Sequence, residues 1–356
     1  MMPGESLSEI PLIEQVRVIN QRFRSCLSPL LLLCVFWFAA CGSAPPDSDW
    51  RDPVDAWQSD DVGGEQDAVG SVVGDGWRSG PGAEAIVGPV ITVATFNQHH
   101  LSDTICQSGQ CGPNDFERKW SQAEFDARIA ERAAAIDALN ADIIFLQEVE
   151  TQAVLDALNA ALDDPYPVAI LAETGYSASL DVAVLARGAL VDSREYSELN
   201  DSTYRFSRRF LRVDLDIQGE RVIAFSAHFK AKYQDQAGRR IAEAKTAHQI
   251  VTEVAANHDG ALVILGGDLN DTPDSEPLMA LTGDGLLKRV AEGMDILDVY
   301  TFVYQQRRQE IDHLLIAPTR GGRYVNESVH SLHDEGEWVG YGGSDHSALV
   351  GQFEMR

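Results

Sequence analysis

Apolar positions divide the chain near residue 86: before it they form one short run and little periodicity, and after it they fall into strand and helix patterns. Residues 91–96 are a compact apolar run rich in β-branched side chains, the signature of a buried strand. Phe125, Ile129, Ile136 and Leu139 then recur at helical spacing, which predicts an amphipathic helix over 121–140. Residues 143–146 read as a second buried strand, and Thr151 is placed to cap a helix carrying Val154, Leu155 and Leu158. Strand patterns follow at 182–185, 210–217 and 222–229, the last two flanking Gln218-Gly219-Glu220, a hairpin signature. A helix is expected over 236–256, with further strands at 262–265, 311–316 and 347–353. Strands outnumber helices and do not alternate strictly with them, which favours an α+β sandwich over a doubly wound sheet.

The N-terminal region reads differently. Arg17, Arg22 and Arg24 precede an apolar run over 27–40, broken only by Ser28 and Pro29; it is short for a membrane span and suits a signal-peptide core. It ends in Phe38-Ala39-Ala40-Cys41-Gly42-Ser43, which resembles the lipobox of bacterial lipoproteins, with Phe38 where Leu is usual. The resemblance implies that Cys41 is lipidated; an uncleaved membrane anchor is the alternative. Residues 1–41 are therefore expected to be a lipoprotein-type signal peptide. Residues 42–86, rich in Asp, Gly, Ser and Pro, are expected to be a disordered acidic tether, and 87–356 one folded domain. The expected product is an exported, membrane-anchored lipoprotein. Cys26 and Cys34 fall in the leader, so Cys106 and Cys111 remain as an even pair, which in an exported chain reads as a local disulfide.

Charge narrows the choice of partner. The 28 Lys+Arg face 55 Asp+Glu, for a net charge of −27, and such a surface repels a polyanion at long range. A phosphate substrate stays possible, because a bound divalent cation reverses the local field.

Candidate chemistry collects at strand ends. Asn97 follows Thr95-Phe96; Glu148 follows Phe145-Leu146-Gln147; His228 follows Phe225-Ser226-Ala227. Asp268 and Asn270 lie in Gly266-Gly267-Asp268-Leu269-Asn270, Asp312 and His313 open the 311–316 run, and Ser344-Asp345-His346-Ser347 opens the last one. Acids, amides and imidazoles along one sheet edge make a hard-oxygen site for Mg²⁺ or Mn²⁺, with histidines free for phosphate chemistry.

In this order, the blocks Thr95-Phe96-Asn97, Leu146-Gln147-Glu148-Val149, Gly266-Gly267-Asp268-Leu269-Asn270 and Ser344-Asp345-His346-Ser347 resemble the signature of the endonuclease/exonuclease/phosphatase superfamily, over roughly residues 88–356. The resemblance implies a four-layer α/β/β/α sandwich of two mainly antiparallel sheets flanked by helices. It implies that Glu148 ligates the metal while Asn97 holds the site's hydrogen bonds. Asp268 would orient or deprotonate water, or help bind metal, and Asn270 would hold a phosphate oxygen. His346, oriented by Asp312, and His228 would act on the phosphoryl group, with Asp345 pairing with His228 or contacting metal. His99 and His100 would stand at the site rim, and Arg209 could reach the phosphate. His313 and Asp271 read as structural. Asp181 occupies a position where many relatives have Gly, and His99 one where some nucleases have an acid, which puts a second metal site in doubt.

The expected activity is metal-dependent hydrolysis of a phosphodiester, nuclease-like, by a monomer at the cell envelope. A phospholipase C/sphingomyelinase-like enzyme and a sugar-phosphate phosphatase are the alternatives. A non-catalytic surface-binding lipoprotein, a reading of another class, is disfavoured because Glu148, Asp268, Asn270, Asp345 and His346 are all present.

Overall fold

The computed structural model describes residues 88–112, 115–200, 202–336 and 340–356, all within one compact unit, Ser59–Arg356. The expectations for the 1–41 leader, Cys41 and the 42–86 tether lie outside the described residues.

In chain order the elements are β1 (Val90–Leu101), α1 (Gln122–Leu139), β2 (Ile143–Val149), α2 (Gln152–Ala160), β3 (Val168–Ala172), β4 (Asp181–Ala186), β5 (Ala189–Glu198), β6 (Arg205–Ile217), β7 (Glu220–His228) and α3 (Ala237–Asn257). There follow β8 (Leu262–Asp268), α4 (Glu276–Thr282), β9 (Lys288–Arg289), α5 (Ile296–Val299), β10 (Phe302–Tyr304), β11 (Arg307–Gln309), β12 (Asp312–Ile316), β13 (Gly322–Tyr324), β14 (His330–Leu332) and β15 (Ala348–Met355). One sheet runs β13-β15-β1-β2-β4-β3, with β14 also on β15, and the other runs β5-β6-β7-β8-β12-β9. Pairing is antiparallel except at β1–β2 and β7–β8. Each of those parallel pairs is joined through a helix, α1 or α3, as a parallel crossover requires.

Alternation along the strands builds the layers. Ile143 and Phe145 of β2 pack between the sheets with Val184, Val213, Ala224, Ile264 and Leu314. Their neighbours Ile144 and Leu146 face the other way, onto Ile129 and Ile136 of α1 and Leu155 of α2. On the second sheet Phe225, Val263 and Leu265 cover Ala244 and Val251 of α3 and Leu278 of α4. Three apolar layers separated by two sheets give the α/β/β/α sandwich.

Local chemistry agrees with the element boundaries. Ser121 and Glu124 form a reciprocal capping box on α1, and Thr151 Oγ1 accepts from Val154 N–H at the start of α2. Gln218 and Gly219 turn the β6–β7 hairpin with φ of 57° and 90°, the left-handed pair that such tight turns need. At Gly266 a Cβ would lie 2.1 Å from the Phe145 ring, so the sheets meet closely there because this residue has no side chain.

Topology sets the functional edge. The C-terminal ends of β1, β2, β7 and β8 point one way, and β12 and β15 run against their neighbours, so their N-terminal ends arrive at the same edge. The register places Asp268 beside both His228 and Asp312.

Candidate active site

The edge gathers residues from both sheets. Asn97, in the C-terminal half of β1 where the register with β2 shifts, donates from Nδ2 to Glu148 Oε1 (3.3 Å) and to Asp268 Oδ2 (3.1 Å), joining the acids of the two sheets through one amide. The Glu148 carboxylate also accepts the His100 N–H at 2.9 Å. Burial alone would push the Glu148 carboxyl up, but the facing His100, His228 and His99 rings and the His100 amide hold it well below the usual range.

Asp268 is 2 % exposed and accepts the Asn270 N–H at 2.8 Å. Burial, reinforced by the neighbouring Asp312 charge, pushes its carboxyl up to about 7. The glycine before it is steric in origin: a Cβ on Gly267 would lie 2.0 Å from the Ala227 carbonyl oxygen. Asp312 lies across from it, with Oδ2 2.7 Å from His346 Nδ1. Thr301 Oγ1 accepts the Asp312 N–H at 3.0 Å, and the His346 ring packs against Phe302 with centroids 4.9 Å apart. Burial lowers the His346 pKa, yet the Asp312 charge and hydrogen bond raise it well above its ordinary value. Ser344 Oγ donates to the Asn97 carbonyl at 2.7 Å and accepts the His346 N–H at 3.1 Å, which ties the final block to β1.

Four non-glycine residues here adopt left-handed backbone: His99 (φ 46°), His100 (φ 50°), Glu148 (φ 62°) and Asn270 (φ 54°). Each such conformation costs of order 1 kcal/mol, and its concentration at one edge is what a functional site maintains at the expense of local strain.

Several expected contacts differ from those found. Asp345 does not pair with His228; its Oδ1 lies 2.5 Å from His99 Nδ1, because the left-handed turn at His99 brings that ring to the 345 loop. Burial lowers the His99 pKa, but the bond and charge of Asp345 outweigh it and raise it overall. His228 has Nε2 3.5 Å from Asp268 Oδ2, and complete burial together with the Arg208 charge drives its pKa well below the ordinary value. Asn270 spends its amide on Asp268 Oδ2 and the Phe229 carbonyl, both at 3.2 Å, so here it orients Asp268 and offers no free N–H to a phosphate. Arg209 is drawn to Glu195 on β5 (3.7 Å), while its neighbour Arg208, on the opposite side of β6, is the arginine whose charge reaches His228.

The residues read as structural have structural partners. His313 bridges Glu310 (3.1 Å) and the Asp271 carbonyl (2.9 Å), and Asp271 is held by Arg240 and Lys232, each at 2.8 Å. Asp181 accepts from Thr174 N–H (3.0 Å), Thr174 Oγ1 and Ser179 Oγ, closing the loop before β4. Cys106 and Cys111 are joined as a disulfide. Arg132 carries no sequence signal: it is fully buried on α1, yet its guanidinium donates to the carbonyls of Gln98 (3.2 Å), Gly342 and Gly343 (2.7 Å), fastening the loop that carries Asp345 and His346.

The donor set fits a hard divalent cation. Asp268, Asp312 and His346 place ligand atoms within 4.8 Å of one another, and Asp312 Oδ1 is buried with no hydrogen-bond partner among the described residues. His346 Nδ1 and Asp312 Oδ2 are committed to each other, whereas Glu148 and Asp268 share Asn97 as ionisable oxygen donors.

A family model described as Endonuclease/Exonuclease/phosphatase family matches residues 92–309. No curated protein matches the chain in sequence. Among solved structures, truncated TDP2 of Caenorhabditis elegans is 19% identical, covering 74% of this chain and 97% of its own, with a TM-score of 0.54. D. rerio TDP2 complexed with a single-strand DNA product is 15% identical (74% and 98% covered, TM-score 0.53). A Bacteroides thetaiotaomicron mannosyl-6-phosphatase is 16% identical (74% and 99%, TM-score 0.54). At such identities these likenesses show the fold, an α/β sandwich common to all of them.

Proposed function

Since this chain belongs to the endonuclease/exonuclease/phosphatase family, whose members are phosphoesterases, we propose that it is a divalent-metal-dependent enzyme that hydrolyses a phosphodiester outside the cytoplasm, in the manner of a nuclease. The observation that carries this reading is the Asn97 amide bound at once to Glu148 and Asp268, beside the Asp312–His346 pair. Glu148 would hold Mg²⁺ or Mn²⁺, with Asp345 beside it. A divalent cation there supplies charge to the phosphate oxygens and lowers the pKa of bound water.

The protein's own groups divide the remaining work. Asp268, its carboxyl raised by burial and the Asp312 charge and oriented by Asn97 and Asn270, takes the proton of the attacking water. His346, fixed through Nδ1 by Asp312, presents Nε2 as a cationic donor to a phosphoryl oxygen. His228, buried with Nε2 3.5 Å from Asp268, offers a directional hydrogen bond beside it.

A second reading, a sugar-phosphate phosphatase, is favoured by the net charge of −27, which disfavours a long polyanion, and by the shared fold of the mannosyl-6-phosphatase. Export and anchoring through Cys41 rest on the lipobox resemblance. The test is turnover of plasmid DNA, sphingomyelin, mannose 6-phosphate and bis-p-nitrophenyl phosphate with Mg²⁺ or Mn²⁺. Diester cleavage supports the leading reading, and activity confined to the sugar phosphate replaces it with the second. Retention of a Cys41→Ser variant in the membrane would sink the lipid anchor.

A further inference from the structure

Resting on the phosphodiesterase reading, we propose that Phe116, with the His100 ring beside it, is a stacking platform for a nucleobase of the substrate. Three rings lead outward from the acids. The His99 and His100 centroids are 5.4 Å apart and those of His100 and Phe116 6.2 Å apart, within the range of attractive aromatic pairs. At the inner end His100 Nε2 lies 3.9 Å from Glu148 and His99 Nδ1 lies 2.5 Å from Asp345. At the outer end Phe116 is 64% exposed.

That exposure does not come from an unfastened loop. The buried Glu117 carboxylate next to it accepts the N–H groups of Ser108 (2.7 Å) and Gln107, and the Cys106–Cys111 disulfide closes the same loop. The Trp120 indole donates to Ser102 Oγ at 3.0 Å, and Gln107 Oε1 accepts the Ala178 N–H at 3.2 Å. A phenyl ring held in water by a fastened segment, at the end of a row of rings that begins at the candidate metal site, is placed to receive another ring.

Charge decides the kind of occupant. A net charge of −27 weakens long-range attraction of an anionic ester, and stacking adds affinity without charge. The row starts at Glu148 and ends at Phe116, so a base set off from the phosphate by its sugar reaches the outer ring, which favours a short nucleotide-like ester over a long polyanion.

The test uses the full-length chain with Mn²⁺ and two diesters sharing one leaving group, thymidine 5′-(p-nitrophenyl) phosphate and methyl p-nitrophenyl phosphate. Phe116→Leu raises KM for the thymidine ester roughly five- to fiftyfold, the scale of one stacking contact, with kcat and the methyl ester's KM unchanged. Phe116→Trp keeps the wild-type KM, and calorimetric Kd values for thymidine 5′-monophosphate follow the same order. Equal thymidine-ester KM in wild type and Phe116→Leu, with both hydrolysing the methyl ester, overturns the platform and leaves the phosphoesterase reading standing. If Phe116→Leu instead loses only binding to phosphatidylcholine vesicles, the platform is overturned in favour of a lipid-binding surface. Wild-type inertness toward both esters overturns the parent reading and the platform with it.

Discussion

His346 Nδ1 lies 2.7 Å from Asp312 Oδ2, and this bond links the start of β12 to the residues just before β15, strands of different sheets. It fixes the imidazole's tautomer and sustains its positive charge against burial. Replacing Asp312 with Asn keeps the volume but removes the charge. The predicted kcat falls by about 10²–10⁴, the range for a mis-set or uncharged catalytic imidazole, with KM for a phosphodiester little altered. Steady-state kinetics of Asp312→Asn checks this, and an unchanged kcat would mean His346 acts without that partner.

Arg132 predicts a stability effect at a distance from the chemistry. Its buried guanidinium serves the carbonyls of Gln98, Gly342 and Gly343. Each buried acceptor left unpaired costs about 1–3 kcal/mol, so Arg132→Met is expected to lose at least about 3 kcal/mol in denaturant unfolding. Lys, whose three N–H donors sit on one nitrogen in place of a planar fork, recovers only part of it.

Glu243 predicts a pH dependence. It is fully buried on α3 and accepts from Ser207 N–H and Lys230 N–H, each at 2.7 Å. Burial outweighs these bonds and raises its pKa. As pH rises from the ordinary carboxyl range, the unfolded chain releases this proton first. Glu243's contribution is therefore complete at low pH and declines as pH climbs through the raised folded value. Thermal unfolding of Glu243→Gln across pH should show the variant furthest below wild type in acid, with the gap narrowing upward. A gap that widens with pH would contradict the sign.

The Cys106–Cys111 disulfide closes a small loop at the site rim. Loop-closure entropy for so short a ring corresponds to about 2 kcal/mol. The double Cys→Ser variant, or the reduced protein, should unfold at a lower temperature by a few degrees in calorimetry. Identical melting with and without reductant would mean that Glu117's hydrogen bonds alone hold the loop.

Much of this was legible along the chain, for identifiable reasons. Residues 91–96 and 262–265 read as strands because β1 and β8 lie between other elements and bury both faces. β5 was not legible: it is an edge strand exposed along almost its whole length, so no alternation marks it. The short β9, β10, β11, β13 and β14 carry too few residues for any period to appear. At the site, residue types at strand ends were enough to collect Glu148, Asp268, Asp312 and His346, since strand direction puts those ends on one edge. What decided partners was finer. His99 took Asp345 through a left-handed turn, and Arg208 took the inner side of β6 through a one-residue difference in facing. Arg132 was hidden because its acceptors are backbone carbonyls, which any sequence supplies.

The most direct test is kcat for bis-p-nitrophenyl phosphate as a function of Mg²⁺ or Mn²⁺, in wild type and in Asp268→Ala. Saturable metal-dependent turnover, abolished by chelation and reduced by about 10²–10⁴ in the variant, is the predicted result. Turnover equal in both proteins, or a wild type inert at every metal concentration, would contradict a metal-dependent phosphoesterase built on Asp268.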